Sequence, residues 1–363
     1  MEIPFLDLKR QINEIKDEIE VAVNRVLDGG NYVLGNEVQA FESEWASYCG
    51  MKASAGVDSG TDAISLALVA SGAVRRDKND EVITTPLSAG YTALAIRQAG
   101  AIPVFADIKC GDYTIDPDAI KKVITKNTRA IVPVHLYGQL ADMKAVGEIA
   151  RRHNLAVVED AAQAHGFQFD DLKIQKHAVA FSFYPTKNLG ANGDGGAVVS
   201  NDTEFIERVK LLRQGGHLAA LKTDIIGHNS RLDEMQAAIL RVKLKYLDGW
   251  NEKRKQLAQF YQKALAATQL KLPAANESHV FHLYVVGHGE RELLRNYLAE
   301  RGIETLVHYP FLLHRQPLFR FAGQPSLPVA ERLVERIFSL PLYPQLLPQE
   351  AENIVSAILD FET

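Results

Sequence analysis

A regular alternation between about Glu81 and Ser200 constrains this chain more than any other feature. Short apolar runs, VITT (82–85), IPVFAD (102–107), AIVPVH (130–135), LAVVED (155–160) and AVAFSFY (178–184), are separated by stretches whose apolar residues recur at helical spacing. A strand that reads as an unbroken apolar run is buried on both faces. Such runs alternating with helices are the pattern of a mostly parallel sheet covered by helices on both sides. GAVVS (196–200) follows AVAFSFY after a glycine-rich turn, so one neighbouring strand is expected to run antiparallel. In open sheets of this kind ligands collect at the carboxyl ends of the strands. Asp107, His135, Asp160 and Tyr184 are predicted to stand at those ends.

From about Arg231 to Asn251, Leu232, Met235, Ala238, Ile239, Val242 and Leu247 predict one long helix linking two units. Beyond it, HVFHLYVV (279–286), a helix around 290–301 ended by Gly302, and IETLVHYP (303–310) point to a small α+β unit. The 363 residues suffice for two cores. The expected division is a large α/β domain over 1–245 and a smaller one over 246–363. Forty basic against forty-five acidic residues leave a net charge of -5, which offers no footprint for nucleic acid or an anionic membrane and favours a small-molecule ligand. Two cysteines, Cys49 and Cys110, fit neither a disulfide framework nor a metal cluster, and no metal is expected. The charged opening MEIPFLDLKRQ does not read as a signal peptide, so a cytoplasmic protein is expected.

Three constellations could carry chemistry. Asp160 with Gln163 lies in VVEDAAQAHG: a carboxylate at the end of a buried strand can pair with a protonated pyridine nitrogen, and Gln163, one helical turn on, could bond a ring hydroxyl. The plainer reading has Asp160 capping a following helix. Lys187 lies in FSFYPTKNLGANGDGGAVV, among aromatic, proline and glycine residues rather than charges. Burial there lowers an amine's pKa and favours Schiff-base formation, although most lysines are simply solvated. Ser59, Gly60 and Thr61 precede an apolar-periodic helix, a start suited to a phosphate or equally to plain capping. Ser182 is a further candidate phosphate ligand.

Together these phrases resemble the DegT/DnrJ/EryC1/StrS family of sugar aminotransferases. The likeness begins with IPFLDLKRQ and NYVLGNEVQAFE (31–42) and passes through SGTDA, EDAAQAHG and SFYPTKNLGANGDGGA. It continues into GHNSRLDEMQAAIL (227–240) and ends with LVHYPFLLHRQP (306–317) and SLPLYP (339–344). The resemblance implies a fold-type-I pyridoxal 5'-phosphate (PLP) transferase with a mostly parallel seven-stranded sheet. It implies Lys187 as the Schiff-base lysine, Asp160 on the pyridine nitrogen and Gln163 on the 3-hydroxyl, with Gly60, Thr61 and Ser182 around the phosphate. It also implies Asn229 reaching the phosphate from the neighbouring subunit of a homodimer, although Asn229 alone reads as a helix cap before RLDEMQ. Tyr184, His308, Tyr309 and His314 are implied around the nucleotide-sugar, with a strand end and turn as the plainer reading of HYP.

The segment TTPLSAGYTALAI (84–96) departs from the family pattern by one residue, so Tyr91, Ala89 or Gly90 takes the place over the cofactor ring. The activity implied is transfer of an amino group from L-glutamate, through pyridoxamine phosphate, to a keto-sugar. HLYGQLADM (135–143), KLKYLDGWNEKR (243–254) and TLVHYP point to the branch acting on dTDP-3-keto-6-deoxyhexoses. The product, a dTDP-3-amino-3,6-dideoxyhexose, would serve surface polysaccharide, lipopolysaccharide or a glycosylated natural product. A 4-keto or UDP-linked substrate stays open, as does a non-catalytic regulator that binds cofactor or sugar. A PLP-dependent sugar dehydratase is disfavoured because such relatives carry histidine in place of Lys187. A generic nucleotide-binding protein is disfavoured because no glycine fingerprint follows the first strand.

Overall fold

The structure is a computed structural model that describes residues 2–362, apart from 76–77, 175, 219–221, 224–225, 275–277 and 321–325. The predicted strands form, with shifts of one to a few residues at their ends: β2 (Glu81–Thr84), β3 (Ile102–Phe105), β4 (Thr128–Val132), β5 (Ala156–Asp160), β6 (His177–Ser182) and β7 (Gly196–Ser200). A further strand, β1 (Ala53–Val57), completes a seven-stranded sheet of order β1-β7-β6-β5-β4-β2-β3. β7 pairs antiparallel with both β1 and β6, whereas the other pairings are parallel, as the glycine-rich turn predicted.

Helices cover both faces. On one, α4 (Gly60–Ala70), α5 (Gly90–Gln98) and α8 (Thr203–Leu212) pack Leu66, Ile96, Phe205 and Val209 against Val132, Val158 and Val198 of the strands. On the other, α3 (Asn36–Tyr48) places Phe41 and Trp45 against Phe181 and Phe183, with both α3 rings wholly buried. Burial of each such side chain stabilises by about 1.5–3 kcal/mol. α6 (Pro117–Val123) and α7 (Met143–His153) cover Ile83, Ile131 and Val157. α1 (Leu8–Glu14) and α2 (Lys16–Gly29) precede α3, and a short hairpin of β8 (His217–Leu218) and β9 (Lys222–Thr223) follows α8.

The single long helix expected over Arg231–Asn251 is two helices, α9 (Glu234–Leu244) and α10 (Leu247–Ala264). Its apolar residues serve two layers: Ala238, Ile239 and Val242 pack on α2, whereas Leu232 and Leu247 join the layer under α3. Further along α10, Ala258 and Tyr261 belong to the C-terminal core. The chain turns at Lys245 and Tyr246, whose N–H groups bond to Val242 and Lys243 carbonyls at 3.3 and 3.0 Å. The C-terminal core joins α10 to α11 (Arg291–Glu300), the antiparallel pair β10 (Tyr284–Gly287) and β11 (Ile337–Leu340), and α13 (Pro348–Glu362), with α12 (Pro328–Leu333) alongside. Ile3 packs there too, and its N–H bonds to Gly302 O at 2.7 Å. No described helix is long and apolar enough to cross a membrane.

Two residues expected at ligand-facing strand ends serve the fold instead. Asp107 accepts the N–H groups of Val329 and Ala330 at the start of α12, at 2.9 and 3.0 Å. His135 bonds Glu159 at 2.7 Å, and His177 bonds the other Glu159 oxygen, all three being buried within the sheet. Burial works to raise the Glu159 pKa, but the two histidines prevail and hold the carboxyl at about 2. A depressed carboxylate stabilises the fold above its unfolded value of about 4.3 and loses that contribution as pH falls toward about 2. Stability measured by chemical denaturation is therefore expected to decline across that window. At neutral pH, His135→Ala should lower the unfolding free energy by about 3 kcal/mol, because it strips a buried carboxylate of a partner.

Candidate active site

The carboxyl ends of β1, β5 and β6 open into a cavity of about 900 Å³, roofed by residues of the C-terminal core and of the N-terminal segment. Asp160 ends β5, and the residues after it form turns rather than the expected helix, so it does not act as a helix cap. Its carboxylate is nonetheless fully fixed. Ala162 N–H donates to Oδ1 at 3.1 Å and Thr92 Oγ1 donates to Oδ2 at 2.7 Å, with Ser88 Oγ 3.1 Å from Thr92 Oγ1. Gln163, carried to the cavity by the turn, accepts Tyr137 N–H at 2.7 Å and donates through Nε2 to Tyr309 OH at 2.9 Å.

Lys187 faces the same space from the loop between β6 and β7. That loop is a tight coil: Lys187 N–H bonds Tyr184 O at 2.9 Å, and Ala191 N–H bonds Phe183 O at 2.7 Å. At Gly190 any Cβ would strike the Pro185 carbonyl, which explains a glycine there. Lys187 is half-buried by exposed area but ringed by packed protein. This desolvation brings its amine down to about 8, against an opposing pull from Asp160.

The third corner is the start of α4. Ser59 is its N-cap, taking Asp62 N–H on its hydroxyl at 3.2 Å and Ala63 N–H on its carbonyl at 2.9 Å. The first N–H groups of a helix have no intrahelical partner, and Gly60 and Thr61 carry theirs at the cavity wall. A Cβ on Gly60 would meet the Cβ of Ser182, so this glycine is what lets α4 begin against the end of β6.

Of the remaining predicted residues, Tyr91, Tyr184, His308 and Tyr309 line the cavity, as does Ala89, whereas Gly90 is not among its lining residues. Tyr91 and Tyr184 are 66% and 52% exposed. His308 bonds Ser339 Oγ at 2.9 Å, and burial, aided by Lys187, lowers it to about 4. His314 is not among the lining residues of its own chain's cavity: it is buried and bonded to Glu331 at 3.1 Å. Asn229 is exposed and away from the cavity of its own chain. Sequence reasoning missed Thr92 and Ser88, the apolar wall of Phe5, Leu6 and Leu8, and Arg254 and His282. A hydroxyl residue within an apolar helix pattern, as at Thr92, was the one available signal.

An amine of lowered pKa, a fixed carboxylate and a helix start with unpaired N–H groups share one cavity on this sheet. Together they define a PLP-dependent aminotransferase of fold type I. The chain belongs to the DegT/DnrJ/EryC1/StrS aminotransferase family, whose pattern matches residues 13–359. It is 43% identical to the dTDP-3-amino-3,4,6-trideoxy-alpha-D-glucose transaminase of Streptomyces venezuelae, over 99% of this chain and 96% of that one. It is 44% identical to the dTDP-3-amino-3,6-dideoxy-alpha-D-galactopyranose transaminase of Aneurinibacillus thermoaerophilus, over 98% of each. Among solved structures it is similar to NtdA of Bacillus subtilis with bound cofactor PMP, with a TM-score of 0.93, 33% identity, and 99% of this chain and 85% of that one covered.

Proposed function

We propose that this cavity binds PLP and moves an amino group from L-glutamate to dTDP-3-keto-6-deoxyhexose, giving dTDP-3-amino-3,6-dideoxyhexose. The observation that carries the reading is the meeting of Lys187, Asp160 and the α4 start in one cavity. When bound, PLP supplies an electron sink for the carbon that bears the amine. Lys187, neutral in part near pH 8, would hold the cofactor through Nζ and, as a free amine, would carry the proton that is moved in the transfer. Asp160 accepts a hydrogen bond from the ring nitrogen and favours its protonated form. Gln163 has one Nε2 hydrogen beyond the one given to Tyr309, and that hydrogen suits the ring hydroxyl oxygen. The N–H groups of Gly60 and Thr61, with the Ser182 and Thr61 hydroxyls, hold the phosphate. Tyr91 covers the ring, while Tyr184, His308 and Tyr309 contact the sugar.

Asn229 completes the phosphate site of a second copy in a homodimer. Exposed Ile226 lies close by in the chain, and the exposed residues Tyr32 and Val33 run beside 233–234, where Glu234 N–H bonds Tyr32 O at 3.1 Å. Exposed apolar side chains near a polar residue with no cavity of its own suit such an interface. The choice of dTDP and of the 3-position is supported by the relatives at 43 and 44% identity. The test is competition between dTDP-linked 3-keto, dTDP-linked 4-keto and UDP-linked 3-keto sugars with L-glutamate as donor, the amine product being weighed by mass spectrometry. A kcat/KM at least about 10-fold higher for the dTDP-3-keto substrate is expected, and a preference for either rival refutes the assignment.

A further inference from the structure

His282 stands in the cavity wall just before β10 and has no part in the reading above. Two backbone carbonyls settle how it is protonated. His165 O is bonded by Asn251 Nδ2 at 2.8 Å, and Val280 O by Asn188 Nδ2 at 3.1 Å. Carbonyls only accept, so both amides are oriented. Asn188 Nδ2 also donates to Asn251 Oδ1 at 2.8 Å, which leaves Asn188 Oδ1 as the acceptor 3.1 Å from His282 Nδ1. The hydrogen therefore sits on Nδ1, and in a neutral ring Nε2 then carries only a lone pair. Burial, followed by the nearby charges of Lys187 and Arg254, keeps this imidazole well below its ordinary pKa and hence neutral. Nε2 has no protein partner among the described residues and keeps some accessible surface, and the residue it belongs to lines the cavity.

We infer that His282 Nε2 is a hydrogen-bond acceptor for the primary amine handled at the Lys187 end of the cavity. The inference rests on the aminotransferase reading and adds a catalytic residue to it. An amine that attacks carbon must aim its one lone pair and has N–H groups to spare, so a fixed acceptor on one N–H sets the angle of attack. Asn188 follows Lys187 directly in the chain, and its single side chain ties the lysine's loop to the imidazole.

His282→Asn tests this, because its amide Nδ2 takes the place of Nδ1–H and keeps the bond to Asn188 while deleting the acceptor in the cavity. With the PLP-loaded variant, thermal midpoint and PLP affinity should match the parent protein. Single-turnover rates with L-glutamate and with the keto-sugar should both fall roughly 10- to 100-fold, the worth of one hydrogen bond to a charged or reacting group. Rates unchanged in both halves overturn the inference, as does a loss confined to the keto-sugar half, which puts the partner on the sugar. Nitrogen-15 NMR of the parent protein needs no variant. There His282 Nε2 should be the unprotonated nitrogen and shift when L-glutamate is added, and a hydrogen on Nε2 refutes the assignment. A parent protein that never reacts with glutamate sinks the aminotransferase reading itself, whereas an active parent with an indifferent His282→Asn sinks only this inference.

Discussion

Lys187→Ala should leave a folded protein whose amino transfer is slower by on the order of 10⁴- to 10⁶-fold, as when a group that both bonds to the reacting centre and moves its proton is removed. The fold should not suffer. Lys187 is desolvated, with its amine brought to about 8, so below that pH its charge is held in the fold at a cost. Its removal therefore leaves the thermal midpoint unchanged or raised, and steady-state rates beside a melting curve separate a lost catalyst from a lost structure. In the parent protein PLP attachment should strengthen as pH rises through about 8, because the neutral amine is the attacking form.

Asp160→Asn is the second large effect. The substituted amide still offers an oxygen to Thr92, which sits 2.7 Å from the present carboxylate, and gives up only the bond from Ala162 N–H, so the side chain keeps its place at the cost of one hydrogen bond. The negative charge is lost, and with it the stabilisation of a protonated ring nitrogen. A fall in kcat of about 10³- to 10⁴-fold is expected, the size seen when one fixed electrostatic partner of a reacting group is neutralised. The same change removes the charge that holds the Lys187 amine up against desolvation, so the pH at which PLP attaches should move below that of the parent. A variant that keeps kcat within about 10-fold, or attaches PLP at the parent's pH, contradicts the role given to Asp160.

Much of this was legible in the chain because the sheet is buried on both faces, so its strands read as apolar runs and their ends mark the cavity. Asp160, Lys187 and Gly60 fall together for that reason. β1 escaped notice because ASAGV is small rather than apolar; β1 lies at the sheet's edge, where α4 and β7 approach closely, and a Cβ on Gly196 would strike the Ser59 carbonyl. The break between α9 and α10 was hidden because helical spacing reports a face but not which neighbour the face meets. His135 and Asp107 misled for a related reason. A strand-end position does not reveal the partner each finds in three dimensions, Glu159 for one and the start of α12 for the other. His282 and Thr92 depend on contacts across 94 and 68 residues of chain, which no local pattern carries.

The most direct test of the central claim is the visible absorbance of the purified protein with PLP, recorded before and after L-glutamate, beside Lys187→Ala. The account predicts a yellow band that forms with the parent, is absent from the variant and bleaches when glutamate is added. A parent protein that never turns yellow contradicts the cofactor site at its root, and a yellow band that ignores glutamate contradicts glutamate as the donor.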